Sequence, residues 1–215
     1  MEVLDKKKVS LVVEKLEKSY PNMGYYLNFK TPIDLLVAAI LSPQTRDVTV
    51  NKVTPELFKK YKTAKDYATA NPDELFQYIK SIAFAKTKMN NIIESCKLID
   101  KQYKGKVPDK KDELMKLPGI GEKTAVTILI NAYGIVEGIP VDTWVIKLSN
   151  RIGLADSTNP NKIEKELEQE IDKKYWHNFA YILKEHGKEI CGKVPFCSKC
   201  VLNEICLKNN VEKSK

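Results

Sequence analysis

Apolar residues recur at three- and four-residue intervals along most of the 215-residue chain, as at Val9, Val12, Val13 and Leu16 and again at Ile92, Ile93, Cys96 and Ile99. That spacing lays them along one face of a helix, and no stretch shows the alternation of a half-buried strand. The expected fold class is all-α, with about ten short helices. Thr31-Pro32-Ile33-Asp34 and Asn71-Pro72-Asp73-Glu74 each set a capping side chain before a proline suited to the first helical position, and Asn159-Pro160 opens another helix. Gly105 after Lys104, and Gly134 after the apolar stretch from Val126 to Tyr133, suit the left-handed residue just past a helix end. A loop from Gly134 to Pro140, with two glycines and a proline, marks a lobe boundary, and a new helix is expected from Asp142.

The chain is long enough to bury a core without covalent staples. Its longest apolar run, Leu35 to Leu41, falls far short of the roughly 20 residues that span a bilayer, so no membrane span is expected. The N-terminus shows no secretory h-region, and the expected location is intracellular. A formal net charge of +8 suits a polyanionic partner, although solvated lysines alone also produce such a value. Of 36 basic residues only Arg46 and Arg151 are arginines. Lysine binds phosphate as a point charge, so a nucleic-acid partner would be held largely without regard to sequence. Nothing in the sequence calls for more than a monomer. Four of the five cysteines fall in the last 25 residues, a clustering that favours metal ligation over disulfides in a reducing compartment.

The segment Leu117-Pro118-Gly119-Ile120-Gly121-Glu122-Lys123-Thr124-Ala125 joins a short helix, about Lys110 to Lys116, to a longer one ending near Tyr133. Gly119 and Gly121 allow backbone N–H groups to come directly against a phosphate at the positive end of the second helix. The alternative is an ordinary helix–helix turn with Ile120 packed inward. Followed by Val141-Asp142-Thr143, this segment resembles the hairpin and catalytic segment of the endonuclease III group of helix-hairpin-helix DNA glycosylases. Leu41-Ser42-Pro43-Gln44-Thr45-Arg46-Asp47 is similar to another stretch of that family, and His186-Gly187 leads into the cysteines, so the resemblance runs from about Phe29 to Cys206.

The resemblance implies a two-lobed helical fold with a cleft between a central lobe over 25–136 and a second lobe made of 1–24 with 137–215. It implies base-excision repair of double-stranded DNA containing damaged bases or abasic sites, by a glycosylase with lyase activity that removes oxidised pyrimidines. Lys123 takes the place of the nucleophile that attacks the sugar and holds it as an imine. Its amine must be neutral to attack, which burial against DNA and the positive helix end favour. The residue-level alternative is a lysine that only binds phosphate. Asp142 takes the place of an aspartate that faces the lysine across the cleft and stabilises charge developing on the sugar, while by position it is also an ordinary N-cap. Trp144 stands where the family more often has histidine, a departure that bears on substrate preference more than on reaction type.

A base inside a duplex is out of reach, so the nucleotide must be flipped and the gap filled. Gln44 matches the family's gap-filling glutamine; a glutamine capping nearby backbone is the alternative. Phe84 falls where the family carries an apolar wedge, against the alternative of a core aromatic. Cys191, Cys197, Cys200 and Cys206 are separated by five, two and five residues, a spacing that by itself leaves zinc open. The resemblance implies a 4Fe-4S cluster in the loop over 191–206, with a first gap one residue shorter than usual in the family. Lys193, with Lys199 and Lys188, flanks this loop as a candidate phosphate contact. Other readings are a glycosylase for mismatched thymine or uracil, or for adenine, a non-catalytic DNA-binding module, and a zinc-stabilised helical protein.

Overall fold

The structure, a computed structural model, describes residues 2–215; Met1, the first residue of the expected second lobe, lies outside them. Eleven α-helices and no strand are found among the described residues. They fall into two compact units, Tyr26–Ile135 and the remainder on either side of it.

In the unit Tyr26–Ile135, α2 (Pro32–Leu41) is the central element. Every residue from Ile33 to Leu41 is buried, as expected of a helix that is apolar all round. Asp34 in its first turn is buried because it completes a capping box: the Thr31 side chain accepts the Asp34 N–H, and the Asp34 carboxylate accepts the Thr31 N–H at 3.1 Å. Around α2 pack α3 (Asp47–Lys60), α6 (Ala85–Gln102) and α8 (Glu122–Ile128). The shorter α4 (Ala64–Ala68) and α5 (Pro72–Ile79) lie against α6, and α7 (Lys111–Leu114) lies against α8. Asn71 caps α5 with Pro72 at its first position, as its sequence predicts.

The predicted helix from Lys110 to Lys116 is thus only one turn, because the chain already bends at Met115 into the Leu117 turn. The predicted helix ending near Tyr133 is α8 followed by a wider π-turn, Leu129–Tyr133, which closes on left-handed Gly134. Gly105 is likewise left-handed, and its N–H returns to the Ile99 carbonyl.

In the other unit, α1 (Lys6–Ser19) buries Val9, Val12, Val13 and Leu16 against α10 (Pro160–Glu170) and α11 (Phe179–Glu189). The helix α9 (Thr143–Ile152) packs on both of them and begins at the N-cap Asp142. No described helix is long and apolar enough to cross a membrane.

Candidate functional site

The hairpin turn is built against α6. Gly119 is left-handed (φ 83°), and a Cβ placed there would lie 2.8 Å from Asn91 Nδ2, so a side chain there would have to displace that of Asn91 on the helix. Ser95 on the same helix donates to the Pro118 carbonyl at 3.0 Å. Ile120 and Leu117 are buried beneath the turn. Gly121 is extended (φ −96°), and a Cβ there would meet nothing within 4 Å. Its task is therefore not backbone strain: as N-cap it leaves the first turn of α8 without a side-chain cap and its outer surface open. Glu122 closes the base of the hairpin with an ion pair to Lys111 at 3.1 Å. Lys123 follows, half-buried in the first turn of α8.

Gln44 and Phe84 lie on two loops of the same unit, and both have left-handed backbone (φ 56° and 57°). Gln44 is exposed, and its side chain makes no hydrogen bond among the described residues, so it is not the backbone cap that was the alternative. Phe84 is 64% exposed and precedes α6, which removes the core reading. Both side chains project where a ligand can meet them.

Asp142 is the N-cap of α9, and a single oxygen, Oδ1, accepts both the Trp144 and Val145 N–H groups at 2.8 and 3.0 Å. The carboxylate is thereby fixed while Oδ2 takes neither bond. Trp144 packs against Gly187, where a Cβ would approach the indole to 2.4 Å, and the Lys147 amine lies 5.1 Å from its ring centre.

Cys191, Cys197, Cys200 and Cys206 all line one cavity, together with Arg151 and His186. Arg151 Nη1 donates to the Cys191 sulfur at 3.4 Å and to the Gly192 carbonyl at 2.9 Å. The Leu202 and Lys208 N–H groups point at the sulfurs of Cys200 and Cys206, each at 3.4 Å. His186 bridges the Cys200 sulfur (Nε2, 3.5 Å) and the Tyr20 hydroxyl (Nδ1, 3.1 Å), and burial holds it neutral by lowering its pKa to about 4. Burial raises the Cys200 thiol and pushes Cys206 up to about 11. No three His, Cys, Asp or Glu side chains among the described residues are grouped tightly enough for a single metal ion. Lys193, two residues after Cys191, is exposed, and Lys188 pairs with Glu185.

Residues 37–173 match the family described as HhH-GPD superfamily base excision DNA repair protein. Endonuclease III of Synechocystis sp. is 39% identical over 202 residues, covering 94% of this chain and 92% of that one. The chain belongs to the endonuclease III family. Endonuclease III of Bacillus subtilis is 36% identical, with 95% and 94% covered. Among solved structures, a trapped covalent intermediate of endonuclease III with DNA, in an estranged-adenine complex, matches with a TM-score of 0.90 at 36% identity, covering 96% of this chain and 97% of the other.

Within this endonuclease III framework, the sequence assigned no role to Lys88 or Arg151, and named His186 only as the residue leading into the cysteines. Lys88 was one cation among many, yet it is buried, with the three- and four-residue spacing Ala85, Lys88, Ile92, Cys96, Ile99 placing it on the inner stripe of α6. That spacing was the available signal. Arg151 and His186 carry none, because their contacts with the cysteines are made across 40 and 14 residues of chain.

Proposed function

We propose that this chain is a base-excision repair enzyme that removes oxidised pyrimidines from duplex DNA as a glycosylase and then cleaves the strand as a lyase, with Lys123 as its nucleophile. The observation that carries this reading is the 36% identity, over almost the whole chain, to a protein caught in a covalent intermediate with DNA, together with an amine at the first turn of the hairpin's second helix.

The neutral Lys123 amine attacks the anomeric carbon as the glycosidic bond breaks, and the base leaves with the bonding electrons and takes up a proton. The attacking nitrogen, an ammonium once bonded to carbon, gives up a proton; its restored lone pair then opens the sugar ring, whose oxygen is protonated, leaving a protonated imine. Loss of a proton from the neighbouring sugar carbon expels the 3′ phosphate, and water hydrolyses the imine to restore the lysine. Asp142 stabilises positive charge developing on the sugar, with Oδ2 as the available oxygen because Oδ1 is occupied by the helix cap. Gly119 and Gly121 bring backbone N–H groups to one phosphate, Phe84 wedges the base stack and Gln44 fills the vacated position. Lys193 adds a phosphate contact.

The four cysteines are the ligands of a 4Fe-4S cluster, which serves to fold and shape the 191–206 loop. Supporting this, all four line one shared cavity, and N–H donors are aimed at three of the sulfurs. Acting on chromosomal DNA places the protein in the cytoplasm or nucleoid.

The test is borohydride trapping on a duplex with one thymine glycol, beside Lys123→Gln. A covalent protein–DNA band in the wild type and none in the variant is expected. A wild-type protein that binds tightly yet never traps would point instead to a glycosylase without lyase activity or to a binding module.

A further inference from the structure

Lys88 Nζ, 6% exposed residue and all, has three donors and finds three neutral oxygen acceptors: the Leu41 carbonyl at 2.8 Å, the Pro43 carbonyl at 2.5 Å and Thr45 Oγ1 at 3.1 Å. Two of these residues are the immediate neighbours of Gln44. The same Thr45 oxygen accepts the Ala83 N–H at 3.3 Å, and the backbone N–H of Lys88 donates to the Phe84 carbonyl at 3.1 Å. One residue of α6 and one hydroxyl therefore tie the Gln44 loop to the Phe84 loop.

A buried ammonium with no acid partner is an unfavourable feature to keep for stability alone. Burial lowers its pKa to about 8. Left-handed backbone is also unfavourable for any residue with a Cβ, so both loops would relax if nothing held them. We propose that Lys88, through Thr45, is a positioning residue that holds Gln44 and Phe84 in register for inserting together into duplex DNA. The proposal rests on the base-flipping reading above. It separates two demands: insertion into a stacked duplex needs the tie, whereas imine chemistry at Lys123 does not.

Thr45→Val removes the shared hydroxyl at a half-buried site, Thr45→Ser restores it, and Lys88→Met removes the amine at similar length. Excision of thymine glycol from duplex should fall about tenfold or more in Thr45→Val and Lys88→Met and recover in Thr45→Ser. Trapping on a single-stranded abasic oligonucleotide, which needs no wedge, should stay at the wild-type rate in all three. Fluorescence of 2-aminopurine opposite the lesion should show slowed opening in the impaired pair. Duplex excision by Thr45→Val equal to wild type, or a parallel loss on both substrates, overturns the proposal. A wild type that traps on neither substrate overturns the proposed function itself, and this inference with it.

Discussion

At Gly119 the left-handed turn (φ 83°) carries a glycine, whereas at Gln44 (φ 56°) and Phe84 (φ 57°) similar backbone carries long side chains. Both regions belong to one unit and both are built against α6, the hairpin through Asn91 and Ser95, the two loops through Lys88. The difference follows from what each presents outward. A turn that offers its backbone gains by having no side chain, and at Gly119 a Cβ would have to displace the Asn91 side chain. A loop that offers a side chain must keep it and have its strain offset by neighbouring bonds, as strained positions generally are.

Breaking the first half of that comparison should have the larger effect on the fold. Gly119→Ala adds a Cβ to left-handed backbone and sets it against Asn91; a loss of about 1–2 kcal/mol is expected from the backbone alone. Thermal denaturation measures it, and DNA affinity should fall in parallel because the turn must shift. An unchanged melting temperature would mean that the turn does not need glycine.

No such loss is expected in the second half. Phe84→Gly should leave stability unchanged or raise it by less than about 1 kcal/mol, since relief of the left-handed backbone is offset by the freer unfolded chain and the modest burial given up at an exposed site. Duplex excision should fall at the same time. Gln44→Gly should behave alike with a smaller loss of excision. If Phe84→Gly destabilises the protein, the residue serves packing and the wedge assignment fails.

The smallest effect is expected at Gly121, whose backbone is ordinary and whose Cβ position is open. Gly121→Ala gives up a somewhat better N-cap but orders the unfolded chain, two terms of roughly 0.5 kcal/mol that nearly cancel. Stability should therefore hold while binding weakens, which would sharpen the contrast with Gly119→Ala. A stability loss as large as at Gly119 would erase the distinction between the two glycines.

The helices and their caps were legible because they are local. Thr31 with Asp34, Asn71 with Pro72 and Asp142 before α9 satisfy N–H groups two or three residues away, so a short window of sequence contains both partners. The π-turn after Ile128 and the single-turn α7 were not anticipated, since where a helix widens or stops depends on how its neighbours pack.

By itself the sequence determined an all-helical chain, the hairpin from Leu117 to Ala125 and the four clustered cysteines, because each is a pattern of adjacent or regularly spaced residues, while the candidate amine at Lys123 came from the family resemblance. Only the tertiary structure distinguished Lys88 from the other lysines, showed Gln44 and Phe84 to be exposed on left-handed backbone, and surrounded the cysteines with Arg151 and His186. Those features depend on partners more than ten residues apart in the chain. Burial, and with it the energetic meaning of a charge or a strained φ, exists only once those distant segments have packed.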